Sequence, residues 1–159
     1  IAMTIAFQTI AGYNYGAKHY DRVLSMIKLG VVSSLCYGLA VSTMMLLAPQ
    51  QIIGIFTQDK ALLAATASIA FWSFLGFPLS NAHAVISSLF QALGKARHAI
   101  FLSSLRIYFV LIPALLILPG IYGIDGIWYA FPIADIIAFI VVIYFVLRER
   151  GNLHRLDLG

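Results

Sequence analysis

The sequence predicts an all-α, polytopic membrane helix bundle with one partial and four full transmembrane helices. Three observations predict it. The 159 residues are 62% hydrophobic and only 10% charged, with a mean hydropathy of +0.95; a soluble domain is about 45–50% apolar and about 25% charged. Uncharged stretches recur at lengths matching a hydrocarbon core of about 30 Å, which a helix of about 20 residues crosses. The basic residues sit between those stretches, and nearly all of them fall on alternate connectors.

The spans are expected at about 1–13, 29–48, 64–93, 99–118 and 126–147, followed by a tail over 148–159. Ile1–Tyr13 is uncharged and reads as the last half of a membrane helix. The chain starts inside this apolar run without a Met, a basic n-region or a cleavage site, so a C-terminal piece of a longer protein is expected. Asn14–Lys28 is a polar, aromatic connector. Leu29–Ala48 is uncharged for 20 residues and stops at Pro49. Gly30, Ser34, Gly38 and Ser42 recur on it every four residues. Small residues at that spacing let another backbone approach closely; lining a permeation path is the alternative. Pro49–Lys60 is a half-apolar connector able to lie along the interface.

Ala61–Leu93 is uncharged for 33 residues, about 50 Å as a straight helix. It must tilt, bend or begin along the surface. Pro78, just after Gly76, marks the expected bend, because proline removes an i→i−4 hydrogen bond. Ser73, Phe77, Ser80, Asn81, Ala84, Ser87, Ser88 and Gln91 fall on one arc of the helix, with His83 on its flank. This stripe either hydrogen-bonds to neighbouring helices or lines a moving cavity. The next span carries Arg106 about two turns in and Pro113 as a second hinge candidate; Pro119-Gly120 is expected to close it. Arg106 reads most simply as an anchor snorkelling to the interface, with a gate salt bridge as the alternative.

Gly126–Leu147 is the last span, and Asp135 lies near its middle. A carboxylate there costs roughly 2.5–3.5 kcal/mol on insertion scales. It must face other helices, water or a cation, or take up a proton. In one reading Asp135 is hydrogen-bonded and orients its helix. In the other it lines a cavity and binds a proton, a sodium ion or a cationic substrate. Trp128 and Phe131 share its helical neighbourhood, and an acid among aromatic rings suits a hydrophobic cation. The same rings suit a lipid-facing belt equally well.

Lysines and arginines number three in Asn14–Lys28, one in Pro49–Lys60, three in Gly94–Arg106, none in Pro119–Asp125 and three in Arg148–Gly159. The positive-inside bias places the C-terminus in the cytoplasm. The net charge of +4 is explained by these span ends and does not point to nucleic acid. Cys36 is the only cysteine, so neither an internal disulfide nor a cysteine-based metal site is expected. His83 is one histidine alone in a span, and no metal or cofactor is expected. No nucleophile–base pair, paired carboxylates or phosphate loop is visible.

Gly12-Tyr13-Asn14-Tyr15-Gly16-Ala17-Lys18-His19-Tyr20-Asp21-Arg22-Val23 resembles the connector after the eighth helix of multidrug and toxic compound extrusion (MATE) transporters. Phe90–Arg97, between two later spans, is similar to the same family, as is Gly126–Asp135 in the last span. The three segments occur in family order. The resemblance implies the end of helix 8 and all of helices 9–12, most of the C-terminal lobe of a two-lobe antiporter. It implies export of small cationic, amphipathic compounds by rocking of the lobes, driven by proton or sodium entry. The implied partners are membrane lipids and the N-terminal lobe of the same protein, and the implied location is the plasma or inner membrane. Asp135 corresponds, by the family's internal repeat, to an acid position in the last helix of the N-terminal lobe. The chain departs from the branch that carries an ion-binding acid in the tenth helix: Ala61–Leu93 has none, and Asn81 and His83 are the nearest polar substitutes. A lipid-linked precursor flippase of the same superfamily is the second reading, and a membrane-embedded enzyme using His83 and Asp135 the third. A flippase cavity needs several cations for a pyrophosphate, and Arg106 is the only cation near a span interior.

Overall fold

The computed structural model describes residues 2–57 and 59–157, with the side chains of 64 and 155–157 excepted. Helix α1 (Ala2–Gly16) leads through a tight turn into α2 (Tyr20–Leu47). Pro49 starts a short helix, α3 (Pro49–Ile53). Then come α4 (Lys60–Leu75) and α5 (Phe77–Ala92), which meet at Gly76 with a bend of 43°. The Asp59 carboxylate caps α4 by accepting from the Ala61 and Leu62 amides. Helix α6 (Ala96–Ser104) continues through a π-helical segment (Leu105–Leu111) into α7 (Ile112–Tyr122), and α8 (Asp125–Asp157) ends the described chain.

Tyr20–Leu47, Ala96–Tyr122 and Asp125–His154 are each long and apolar enough to cross a membrane, and the bent pair α4–α5 makes a fourth such run. The outer surface agrees: Leu29, Val32, Tyr37, Tyr108, Phe109, Leu116, Ile140 and Tyr144 are all exposed. Such a contiguous apolar exterior is foreign to a water-soluble monomer.

Helix α5 is the axis of the bundle, with α1, α2, α6 and α8 packed around it. Its Val85, Ile86, Leu89 and Phe90 join Phe7, Val23, Ile27, Leu102, Val142, Val146 and Leu153 in one core. Close backbone approach, rather than bulk, makes the contacts in the middle of the layer. Ala130, Ala134 and Ala138 form a fully buried ridge on α8. Gly30, Ser34, Gly38 and Ser42 are all buried on α2. Gly30 receives Phe7 and Val85, Gly38 lies against Pro78, and the Ser42 hydroxyl donates to the Phe74 carbonyl at 2.8 Å.

Several boundaries differ from the sequence reading. Helix α2 starts at Tyr20, so most of the stretch read as the Asn14–Lys28 connector is helical and leads straight into the span expected from Leu29. Helix α4 starts at Lys60, a turn before the expected 64. The span expected to close at Pro119-Gly120 runs on to Tyr122. It ends at Gly123, whose φ of +65° is open to glycine at little cost. That same span begins at Ala96, one turn earlier than read. The last helix does not stop at Leu147 but continues to Asp157. Its polar extension is tied down, since both Glu149 carboxylate oxygens accept from Lys95 Nζ at 2.6 Å and Glu149 is buried. A charge that reads as tail is thus a partner for the α5–α6 turn.

Candidate functional site

The chemistry concentrates where the α4–α5 bend meets α8 and the π-helical segment. Asp135 is 1% exposed. Its carboxylate lies so close to Gly76 that a Cβ there would collide with it. Two residues on, Pro78 packs on Gly38 of α2. The interruption of α4–α5 therefore opens a notch into which the α8 acid fits. The first turn of α5 begins beside that notch, so the positive end of its helix dipole favours the negative charge.

Arg106 supplies the countercharge. Its Nε donates to Asp135 Oδ1 at 2.5 Å. The Ser80 hydroxyl also lies against the carboxylate. Arg106 sits in the π-helical segment, where the Ile112 amide donates to the Ile107 carbonyl, five residues back. Pro113 follows at once and has no N–H to give, and the widened turn relieves its ring of the carbonyl four residues earlier. Instead of snorkelling outward as a simple anchor, Arg106 turns inward. An unpaired carboxylate in this layer is costly, and the guanidinium is the cation within reach.

From Asp135 the pair leads outward. Arg106 lines a cavity of about 280 Å³ together with Thr4, Ser80, His83, Ser87, Ser88, Gln91 and Ser103. His83 Nε2 lies 3.0 Å from the Leu102 carbonyl. A carbonyl only accepts, so Nε2 carries the proton and the tautomer is set. Ser88 and Ser103 donate to the Val85 and Ala99 carbonyls of their own helices. The Ser87 hydroxyl is buried and has no hydrogen-bond partner among the described residues.

Ser80, His83 and Gln91 thus meet around one cavity, joined to Asp135 through Arg106. Asn81 faces a different groove, between α1, α2 and α5, and its amide donates to the Phe77 carbonyl at 2.9 Å. Phe77 packs on Phe74. Trp128 and Phe131 are half-buried on α8 and do not line the Arg106 cavity. Tyr129, also on α8, packs edge-on against Trp72 of α4. Sequence reasoning placed no weight on Gly76 beyond the bend and none on Ser87 beyond its stripe. The available signal for the ion pair was arithmetical: one acid and one cation lie inside spans, and neither is tolerable alone.

A family model described as MatE matches residues 1–117. The chain belongs to the MatE family. Two of the three resemblance segments, Gly12–Val23 and Phe90–Arg97, fall inside the match, while Asp135 lies beyond it. The MatE chain is 24% identical over 139 residues to the multidrug export protein MepA of Staphylococcus saprophyticus subsp. saprophyticus, covering 86% of the chain and 31% of that protein. It superposes on an inward-facing multidrug resistance MATE family transporter with a TM-score of 0.88 at 18% identity, covering 98% of the chain and 36% of the other. An outward-facing multidrug resistance MATE family transporter gives 0.87 at 17% identity, over 96% and 35%. At these identities the superpositions carry the fold. The MatE chain spans about a third of the length of these relatives. It is a membrane protein of a transporter family, not of an enzyme family.

Proposed function

We propose that this chain is most of the C-terminal lobe of a secondary antiporter that exports cationic, amphipathic compounds in exchange for protons or sodium ions. Its partner is an N-terminal lobe of the same protein, and transport proceeds by rocking of the two lobes. The site is the plasma or inner membrane, with the C-terminus in the cytoplasm. The observation that carries this reading is the MatE match over residues 1–117, in a chain whose relative is named a multidrug export protein. The broken α4–α5 helix supports it. A discontinuous helix end beside a buried charge and a polar cavity is the kind of site that transporters build near the middle of the layer.

Within this reading, Asp135 and Arg106 are a countercharge pair at the cavity wall. Ser80, His83 and Gln91 line the cavity, with Phe77 and Asn81 on the neighbouring faces of α5. Trp128 and Phe131 lie about two turns and one turn before Asp135, where aromatic faces attract organic cations. A flippase for a pyrophosphate-linked lipid is less well supported, because a pyrophosphate needs several cations and Arg106 is the one lysine or arginine that lines the cavity among the described residues. The test is drug efflux by the full-length protein under imposed proton and sodium gradients. Asp135→Asn is expected to lower efflux or shift its pH dependence at normal expression. Efflux with unchanged pH dependence reduces Asp135 to a packing residue.

A further inference from the structure

The cavity beside Arg106 differs in chemistry from the cation-binding site that a lone Asp135 would make. Its lining holds four serine hydroxyls, a threonine, a glutamine amide, a histidine and a guanidinium, and no carboxylate. The acid that neutralises Arg106 does not itself line the cavity and is nested against Gly76. Nε is the nitrogen committed to that acid. The terminal guanidinium nitrogens are the further donors, in the planar fork that matches an oxyanion. The Arg106 side chain keeps 26% of its exposure while Asp135 keeps 1%. Ser87 is nine-tenths buried, lines the same cavity and lacks a hydrogen-bond partner among the described residues. A buried hydroxyl without a partner is costly unless a ligand supplies one.

We propose that this cavity is an oxyanion site, which takes the carboxylate of an amphiphilic ligand on the terminal nitrogens of Arg106 and the hydroxyl of Ser87. Asp135 holds the guanidinium at the wall, and the ligand's apolar part extends toward Ala84 and Ile107, which border the same cavity. The cavity holds a carboxylate with a few attached carbons and leaves a longer tail outside. The site adds an anion-accepting position to a protein otherwise read as handling cations. It does not require that protein to be an exporter, because binding is measured without a gradient. The same chemistry fits the phosphodiester of an anionic lipid, and the test separates the two sources.

The test uses the purified full-length protein in neutral detergent, titrated with 11-(dansylamino)undecanoic acid and followed by dansyl fluorescence. Its methyl ester and a matched alkylammonium dansyl probe serve as controls. The acid is expected to bind saturably and more tightly than the ester. Ser87→Ala is expected to weaken the acid by about tenfold, the size of a hydrogen bond to a charged group, and to leave the ester and ammonium probes unchanged. Arg106→Gln combined with Asp135→Asn keeps the buried pair neutral and is expected to weaken the acid at least as much. Displacement of the acid by phosphatidylglycerol at low mole fraction, lost in the same two variants, assigns the oxyanion to a lipid headgroup and retains the site. Equal binding of acid and ester overturns the proposal, as does acid binding indifferent to both variants.

Discussion

Arg106 and Asp135 are 29 residues apart in sequence, on different helices, and joined by a 2.5 Å hydrogen-bonded ion pair in which the acid is almost wholly buried and the cation is not. This asymmetry organises the site. The carboxylate is held by the helix break at Gly76 and by Arg106, while the guanidinium also borders the cavity between α1, α5 and the π-helical segment.

The pair should be strongly coupled. Arg106→Gln leaves a buried charge without its partner and is expected to cost about 3–5 kcal/mol. Combining it with Asp135→Asn removes that charge and should recover most of the loss. Thermal unfolding in detergent of the two single variants and the double variant measures the coupling. Additive losses would mean that the two side chains do not depend on each other.

Gly76 is where α8 meets the bend. Gly76→Ala places a methyl group against the Asp135 carboxylate and is expected to destabilise by about 1–3 kcal/mol through overpacking. Shortening the acid in the same protein, as Asp135→Ala, should make the added methyl much cheaper. A Gly76→Ala cost that is the same in both backgrounds would place the carboxylate elsewhere.

Pro113 bears on the geometry of Arg106. Pro113→Ala restores an amide that can bond to the carbonyl four residues back, so the π-helical turn is expected to relax toward α-helix and rotate Arg106. The coupling between Arg106 and Asp135, measured by the same double-variant cycle, should fall. Undiminished coupling would show that the turn persists without the proline.

Lys95 and Glu149 fasten the polar end of α8 to the α5–α6 turn. Lys95→Met leaves the Glu149 carboxylate buried and unpaired. Amide exchange over residues 149–154 is expected to quicken by about tenfold, corresponding to about 1.4 kcal/mol. Exchange at the native rate would mean that apolar packing of Leu153 alone holds the extension.

The orientation is tested in a background without Cys36, which is exposed. A cysteine at Asp125 should react with an impermeant thiol reagent added outside intact cells, and one at His154 should not. The reverse pattern would place the C-terminus outside.

The helical architecture was legible before any coordinates because lipid imposes a simple demand. A chain must satisfy its backbone internally over a fixed thickness. Uncharged runs of about that length, with Pro49 at the end of one and Pro78 inside another, therefore point to spans and to the bend. The four small residues on α2 were legible as a stripe, though not as the surface that meets Phe7, Val85 and Pro78. The extension of α8 past Leu147 was hidden, because Arg148, Glu149 and Arg150 look like tail until Lys95 is brought to Glu149.

From its residues alone this protein is determined to be a membrane bundle of the MatE kind with one acid deep in its last span. Hydropathy, charge placement and local motifs are properties of consecutive residues, and these suffice for that. Only the tertiary structure decided what the acid faces. Pairing a charge is a matter of which helix lies alongside, in which rotation, and a break at Gly76 together with a π-helical turn before Pro113 set both. The low polarity of the layer makes any unpaired charge expensive, so the packing that unites Arg106 with Asp135 also settles which polar groups remain at the cavity for a ligand.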